Sequence, residues 1–318
     1  MKAMSNPIEP CLILAAIFCG SLAMCQSSVD PLAQARSLLA QGKLAESEST
    51  LHRYLHTEPS SAEAHFLLGY VLFRDQKAKE SLAEFTAGAK IRRPQADELK
   101  IVASDYVILG DYGDADKWFT QVVAEVPKDA EAWYLLGRTK YNENDFPTAI
   151  SNFERALALH PNYVEAENNI GLSWQELKDS TKARQAFQTA IDWQGNTPTD
   201  AQPFLNLGTM LAEQSEFEKA LPYLEKAATL NPNNPTIHEQ LATIYSSLHD
   251  LPKAQAELEK AIKLAPEISA LHFKLGQIYR KEGIADRAQQ EFDTCAKLNS
   301  THSSAKTPNP PSPNVSQP

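Results

Sequence analysis

The sequence predicts an all-α chain, a solenoid of about eight stacked helix-turn-helix units with no strand. Three observations predict it. A pattern repeats every 34 residues along most of the 318-residue chain, a period typical of arrays of stacked helical pairs. In units starting at Ser28, Ala62, Ala96, Ala130, Val164, Ala201, Pro235 and Ser269, unit position 8 is always Gly or Ala and position 20 always Ser or Ala. Position 24 is always Leu or Phe: Leu51, Phe85, Phe119, Phe153, Phe187, Leu224, Leu258 and Phe292. One three-residue insertion, Pro198 to Asp200, keeps the register.

The segment before the first unit, residues 1–25, reads as an export signal. Lys2 precedes about 15 mostly apolar residues from Cys11 to Cys25, long enough for a signal core and short for a membrane span. Cleavage after Cys25 or after Ala23 fits the small residues at Ala23 and Ser21. Leu-Ala-Met-Cys ending at Cys25 also resembles a lipoprotein signal, although Met24 departs from the small residue expected there. A lipidated Cys25 or an uncleaved anchor therefore stays open beside a soluble, exported chain, periplasmic or extracellular.

The first unit is the most polar, with Gln34 where others hold Leu, Ile or Val, as a solenoid end requires. The fourth unit is the clearest. Trp133, Leu136 and Tyr141 recur at helical spacing, and Phe146, Ala149, Ile150, Phe153, Ala156 and Leu157 do so in its second half. Pro147 stands near a helix start, where its missing N–H costs nothing, and Pro161 follows the end. Small residues at positions 8 and 20 let two helices approach, and the position 24 side chain fills the remaining space. A pair this short buries its apolar stripe only against the next pair. The last unit carries polar Gln289, Gln290, Glu291, Asp293 and Thr294 on its second helix, which serves as the end cap. Residues 303–318 hold five prolines and one large aliphatic, Val315, and are expected to stay disordered.

With Trp133, Leu136, Gly137, Phe146, Ala149, Phe153, Ala156 and Pro161 in place, the chain resembles a tetratricopeptide repeat (TPR) protein over residues 28–302. The resemblance implies a right-handed α-solenoid of 34-residue repeats. It also implies a non-enzymatic scaffold that holds a protein or extended peptide in a concave groove. An envelope assembly factor, lipidated or homo-oligomeric, is the alternative role.

Composition agrees with an interaction module. The net charge is −10, from 30 Lys and Arg against 40 Asp and Glu, which speaks against a nucleic-acid partner. No phosphate loop, Gly-x-Ser-x-Gly, His-Glu-x-x-His or Cys-x-x-Cys motif is present, so no catalytic residue, cofactor or small-molecule substrate is expected. His52 and His56 share a helix face at i,i+4 without a third ligand, so no metal is expected. His65, His238 and His272 share unit position 4 and read as packing residues. Cys295 reads as a small buried residue.

In the family the groove is lined by the first helix of each unit, which places three zones on it. The early zone is aromatic and basic, with Phe66, Tyr70, Phe73, Arg74, Lys100, Tyr134, Arg138 and Tyr141. The middle zone is acidic and amide-rich. There Asn169, Asn206 and Gln240 all occupy position 6, in a row that can bond an extended peptide backbone, similar to the asparagine ladder of O-linked GlcNAc transferase. The last zone has Phe273, Lys274, Gln277, Arg280 and Lys281. Lys100 and Arg138 predict a preference for acidic or aromatic partner residues at the early end.

Overall fold

The computed structural model describes residues 30–304. The export-signal segment with Cys25, and the proline-rich tail beyond Ser304, lie outside them. Among the described residues there are sixteen α-helices and no strand. The first helices of the eight units are α1 (Pro31–Ala40), α3 (Ala62–Arg74), α5 (Ala96–Leu109), α7 (Ala130–Asn142), α9 (Val164–Glu176), α11 (Gln202–Glu213), α13 (Pro235–Ser247) and α15 (Ser269–Lys281). The second helices are α2 (Leu44–Thr57), α4 (Ala78–Ala89), α6 (Tyr112–Glu125), α8 (Phe146–Leu159), α10 (Ser180–Asp192), α12 (Phe217–Leu230), α14 (Leu251–Leu264) and α16 (Ala285–Ser304). Each helix packs against the next in sequence, so the chain is a solenoid of antiparallel pairs, as the period predicts.

The columns have a steric cause. At Gly69, Gly137, Gly171 and Gly276 an added β-carbon would fall within 2.8 Å of the ring of Phe85, Phe153, Phe187 and Phe292 respectively. The position 24 ring therefore lies on the bare backbone at position 8. Ser47 and Ser81, at position 20, donate their hydroxyls to the carbonyls of Ala35 and Gly69.

A further column, at unit position 15, is visible only in the backbone. Gly42, Gln76, Gly110, Asn144, Lys178, Ser215, His249 and Gly283 all have φ between 59 and 78°. Each ends a first helix in a left-handed turn, and the following N–H bonds back across it, as Lys77 does to Leu72 and Asp179 to Trp174. Only three of the eight are Gly, so the others carry left-handed strain. Lys178→Gly is expected to raise stability by about 0.5–1 kcal/mol, the strain relieved less the entropy that Gly adds to the unfolded chain. A shift of the denaturant midpoint measures it.

Unit position 4 ties neighbouring repeats together. Trp133 Nε1 donates to the Pro127 carbonyl at 3.0 Å. His65, His238 and His272 place Nε2 at 3.0, 2.8 and 3.0 Å from the carbonyls of Pro59, Pro232 and Pro266. Their Nδ1 atoms lie 2.7, 2.6 and 2.7 Å from Glu84, Glu257 and Glu291. His238 and His272 thus face separate glutamates rather than each other. Trp133→Phe keeps an aromatic ring but loses the N–H donor and part of the packed indole, so about 1 kcal/mol or more of stability should go, read by the same denaturant titration.

The insertion forms a loop before α11. The Gln194 amide organises it, accepting from the N–H of Thr199 and Asp200 and donating to the Asp200 carbonyl. Cys295 is half-buried on α16, more open than its column predicts, because among the described residues no repeat packs on the outer side of that helix.

Candidate protein-binding groove

Contacts between alternate helices show which way the solenoid bends. The first helices touch along much of the row: α1 with α3, α3 with α5, α7 with α9, α9 with α11, α11 with α13. No two consecutive second helices touch to that extent. First helices therefore line the inner, concave face. On it lies a cleft of about 650 Å³ spanning α1, α3, α5 and α7. Its floor is apolar, with Leu67, Tyr70, Phe73, Ile101 and Leu135, and Phe66 and Phe85 beneath. This volume and lining are in the range of ordinary ligand-binding clefts.

The early-zone residues fall into different environments. Tyr70 is half-buried and its ring stacks on Phe73 at 6.3 Å. Arg74 is exposed and donates to the Tyr70 hydroxyl at 3.3 Å. Phe66 is a correction: it is only 4% exposed, packed 5.8 Å from Phe85 and covered by the Arg92 guanidinium 4.5 Å above its ring. Its role is to shape the cleft from below. Lys100 is a second correction, since it is not a free cation. Its ammonium lies 3.3, 2.9 and 3.0 Å from Asp97, Asp129 and Glu131. Burial alone would lower its pKa, but the bonds to Asp129 and Glu131 outweigh that and raise it.

Tyr134 and Tyr141 are half-buried. Tyr134 packs against Phe153 and Tyr163 at 5.9 and 5.0 Å, and Tyr141 meets Phe146 edge-on at 5.3 Å. Burial raises the pKa of both phenols. Arg138 is exposed, with its guanidinium 5.9 Å from the Tyr134 ring centre. At the far end Phe273 is 47% exposed and Lys274 pairs with Glu239 at 2.7 Å.

The amide row is partly spent inside the fold. Asn169 donates to the Glu165 carbonyl of its own helix at 2.7 Å and meets the Tyr134 hydroxyl at 3.5 Å. Asn206 donates to Asn168 Oδ1 and accepts from Gln202, both at 2.9 Å. Gln240 is half-buried on α13. The bond from Asn206 runs to position 5 of the preceding unit, so Asn169 and Asn206 do not form one continuous ladder. A peptide backbone would have to replace these bonds.

Two carboxyls behind the groove escaped the sequence reading. Asp105 on α5 is fully buried. Ser81 Oγ lies 2.6 Å from its Oδ2 and 2.8 Å from the Gly69 carbonyl, and Oδ1 has no hydrogen-bond partner. A single hydroxyl proton cannot serve both acceptors. A protonated Asp105 donating to Ser81, with Ser81 donating to Gly69, satisfies both. Burial pushes this carboxyl up to about 7; only a bond donated by Ser81 to the ionised carboxylate would oppose that shift. Glu167 on α9 is pushed up to about 7 by burial and by Glu154. The signal for each was in the columns. Asp105 occupies position 10, elsewhere Ser, Val, Thr, Met or Ile, and Glu167 occupies position 4, where four other units place a His or Trp.

Among the described residues no three His, Cys, Asp or Glu side chains gather as a metal ion would need, and His52 lies 3.8 Å from Glu48. No described helix is long and apolar enough to cross a membrane.

Comparison with known proteins places this geometry. The family model described as the cytochrome c-type biogenesis protein H TPR domain matches residues 119–234. Three general tetratricopeptide repeat models match residues 32–97, 211–275 and 269–302. Among curated proteins, Protein O-mannosyl-transferase TMTC1 of Mus musculus is 25% identical over 157 residues, covering 48% of this chain. The chain spans only 16% of that protein's length. A tetratricopeptide repeat protein from Parabacteroides merdae superposes with a TM-score of 0.64 at 18% identity, over 78% of this chain and 97% of that one. Yeast Tom70 superposes with a TM-score of 0.63 at 15% identity, over 87% of this chain and 62% of the other. These two likenesses concern the fold. With the repeat models matching along nearly all of the helical region and sixteen helices stacked in pairs, the chain belongs to the tetratricopeptide repeat family.

Proposed function

We propose that the protein is an exported, non-enzymatic scaffold that binds an extended segment of a protein partner along its concave face. The observation that carries this is the apolar cleft spanning α1 to α7. Tyr70 and Phe73 there present aromatic surface and belong to no hydrophobic core cluster. Half-buried aromatics beside Arg74 and Arg138 are the residue types that concentrate binding energy.

Random-peptide display on the purified protein tests the reading. Enriched peptides should lose binding to a Tyr70→Ser, Phe73→Ser variant by about tenfold or more, as central aromatic anchors do. They should keep binding to a variant changed at Lys79 and Thr86, exposed on α4. Equal losses from both variants, or no enriched peptide, would refute the groove.

A second reading is an assembly factor of the cell envelope, lipidated at Cys25. It is favoured by the match of residues 119–234 to the biogenesis-protein TPR domain and by the Leu-Ala-Met-Cys sequence. Mass spectrometry of the mature N-terminus separates the two. A free Gln26 supports the soluble scaffold, and a diacylated Cys25 supports the envelope factor.

A further inference from the structure

The charges around the cleft point to a particular kind of partner, on the premise that the concave groove is the binding face. Four carboxylates line the cleft, Glu63, Asp97, Glu98 and Glu131, against two cations, Arg36 and Lys100. Both cations are already engaged. Arg36 pairs with Glu63, and Lys100 sits among three carboxylates with only 16% of its side chain exposed. The acids are the accessible partners: side-chain exposure is 90% for Asp97, 65% for Glu131 and 58% for Glu63. An incoming anion would have to displace Asp129 and Glu131 from Lys100. An incoming cation instead reaches carboxylates that keep more than half of their surface open, although Glu63 is shared with Arg36 and Asp97 and Glu131 with Lys100, and it meets the faces of two aromatic rings. The overall charge of −10 adds long-range attraction of the same sign.

We propose that this cleft receives an extended segment carrying an aromatic or large aliphatic residue flanked by Lys or Arg. The apolar side chain covers the floor, and the flanking cations meet Glu63, Asp97 and Glu131. Specificity here comes from charge complementarity at the rim, and most of the affinity from burial at the centre. This reverses the preference for acidic partner residues that Lys100 and Arg138 suggest from the sequence.

Three labelled nonapeptides titrated against the full chain by fluorescence polarisation test it. One has Leu-Trp at its centre flanked by Arg and Lys, one has the same centre flanked by Glu, and one has the basic flanks around Gly-Ser. The basic Leu-Trp peptide should bind about tenfold tighter than the acidic one at low salt, the effect of two or three exposed ion pairs. The gap should narrow as salt rises. It should close in a Glu63→Gln, Asp97→Asn, Glu131→Gln variant, whose changes are all exposed and whose helicity is checked by circular dichroism. An acidic peptide that binds as tightly or tighter overturns this inference and leaves the groove reading standing. So does a Gly-Ser peptide that matches the Leu-Trp one, or a gap that survives in the triple variant. If none of the three binds and peptide display also enriches nothing, the groove reading falls and this inference with it.

Discussion

Gly137→Leu is expected to cost about 3 kcal/mol or more, at the upper end of overpacking, and to loosen the fourth unit first. A β-carbon at Gly137 would lie 2.6 Å from Cδ1 and Cε1 of Phe153. That ring is fully buried and is held among Ala149, Ile150, Ala166 and Ile170, so it has no free direction to move. The remaining Leu atoms must part α7 from α8. Because each repeat contacts only its neighbours, the damage should fade along the solenoid. Hydrogen exchange by mass spectrometry should show faster exchange in units three to five and little change in the first and eighth. Equal loosening at both ends would contradict a solenoid of nearest-neighbour contacts. A compensating change checks the steric cause. Where position 8 is Ala35 or Ala242, position 24 is Leu51 or Leu258, so adding Phe153→Leu should recover part of what Gly137→Ala loses. Ala103 shares a core cluster with Phe119, so helix spacing can admit one methyl group, and Ala should cost less than Leu.

Asp105→Asn is expected to remove a pH dependence from the stability and to strengthen the protein at neutral and alkaline pH. The Asp105 carboxyl is raised from an ordinary 3.8 to about 7 in the fold. The folded state therefore holds this proton more tightly than the unfolded chain does. The associated stability is full below about pH 4, declines as pH rises towards 7, and is gone above it. Three units at about 1.4 kcal/mol each set an upper bound of about 4 kcal/mol. Denaturant titrations of wild type and Asp105→Asn from pH 4 to 8 should diverge by up to that amount, with the variant the more stable at pH 8. Parallel curves would mean that Asp105 is ionised in the folded state with a partner that compensates its charge. Ser81→Ala should not remove the divergence, because burial rather than the Ser81 bond drives the shift.

Some of this site was legible from residue types alone. The first helices do line the inner face, and Tyr70, Arg74, Tyr134, Arg138, Tyr141 and Phe273 keep at least part of their surface open. Two features were not legible. Phe66 and Tyr70 look alike as aromatics one turn apart on the same helix face, yet Phe66 is covered by Arg92 and packed on Phe85 while Tyr70 opens into the cleft. Lys100 reads as a positive charge until Asp129 and Glu131 arrive from the next repeat.

By itself the sequence determined the repeat length, the helix pairs and the packing columns. These depend on residues close in the chain and on a periodic pattern, and each repeat states them again. Tertiary structure decided what the repetition leaves free. It placed left-handed turns at position 15 whether or not Gly was there. It buried Asp105 without a counter-charge and turned a nominally basic end of the groove into one with an acidic rim. The physical reason is that burial and charge pairing belong to the interface between repeats. Two side chains about thirty residues apart are brought within 3 Å there, and no single-column pattern reports on the pair.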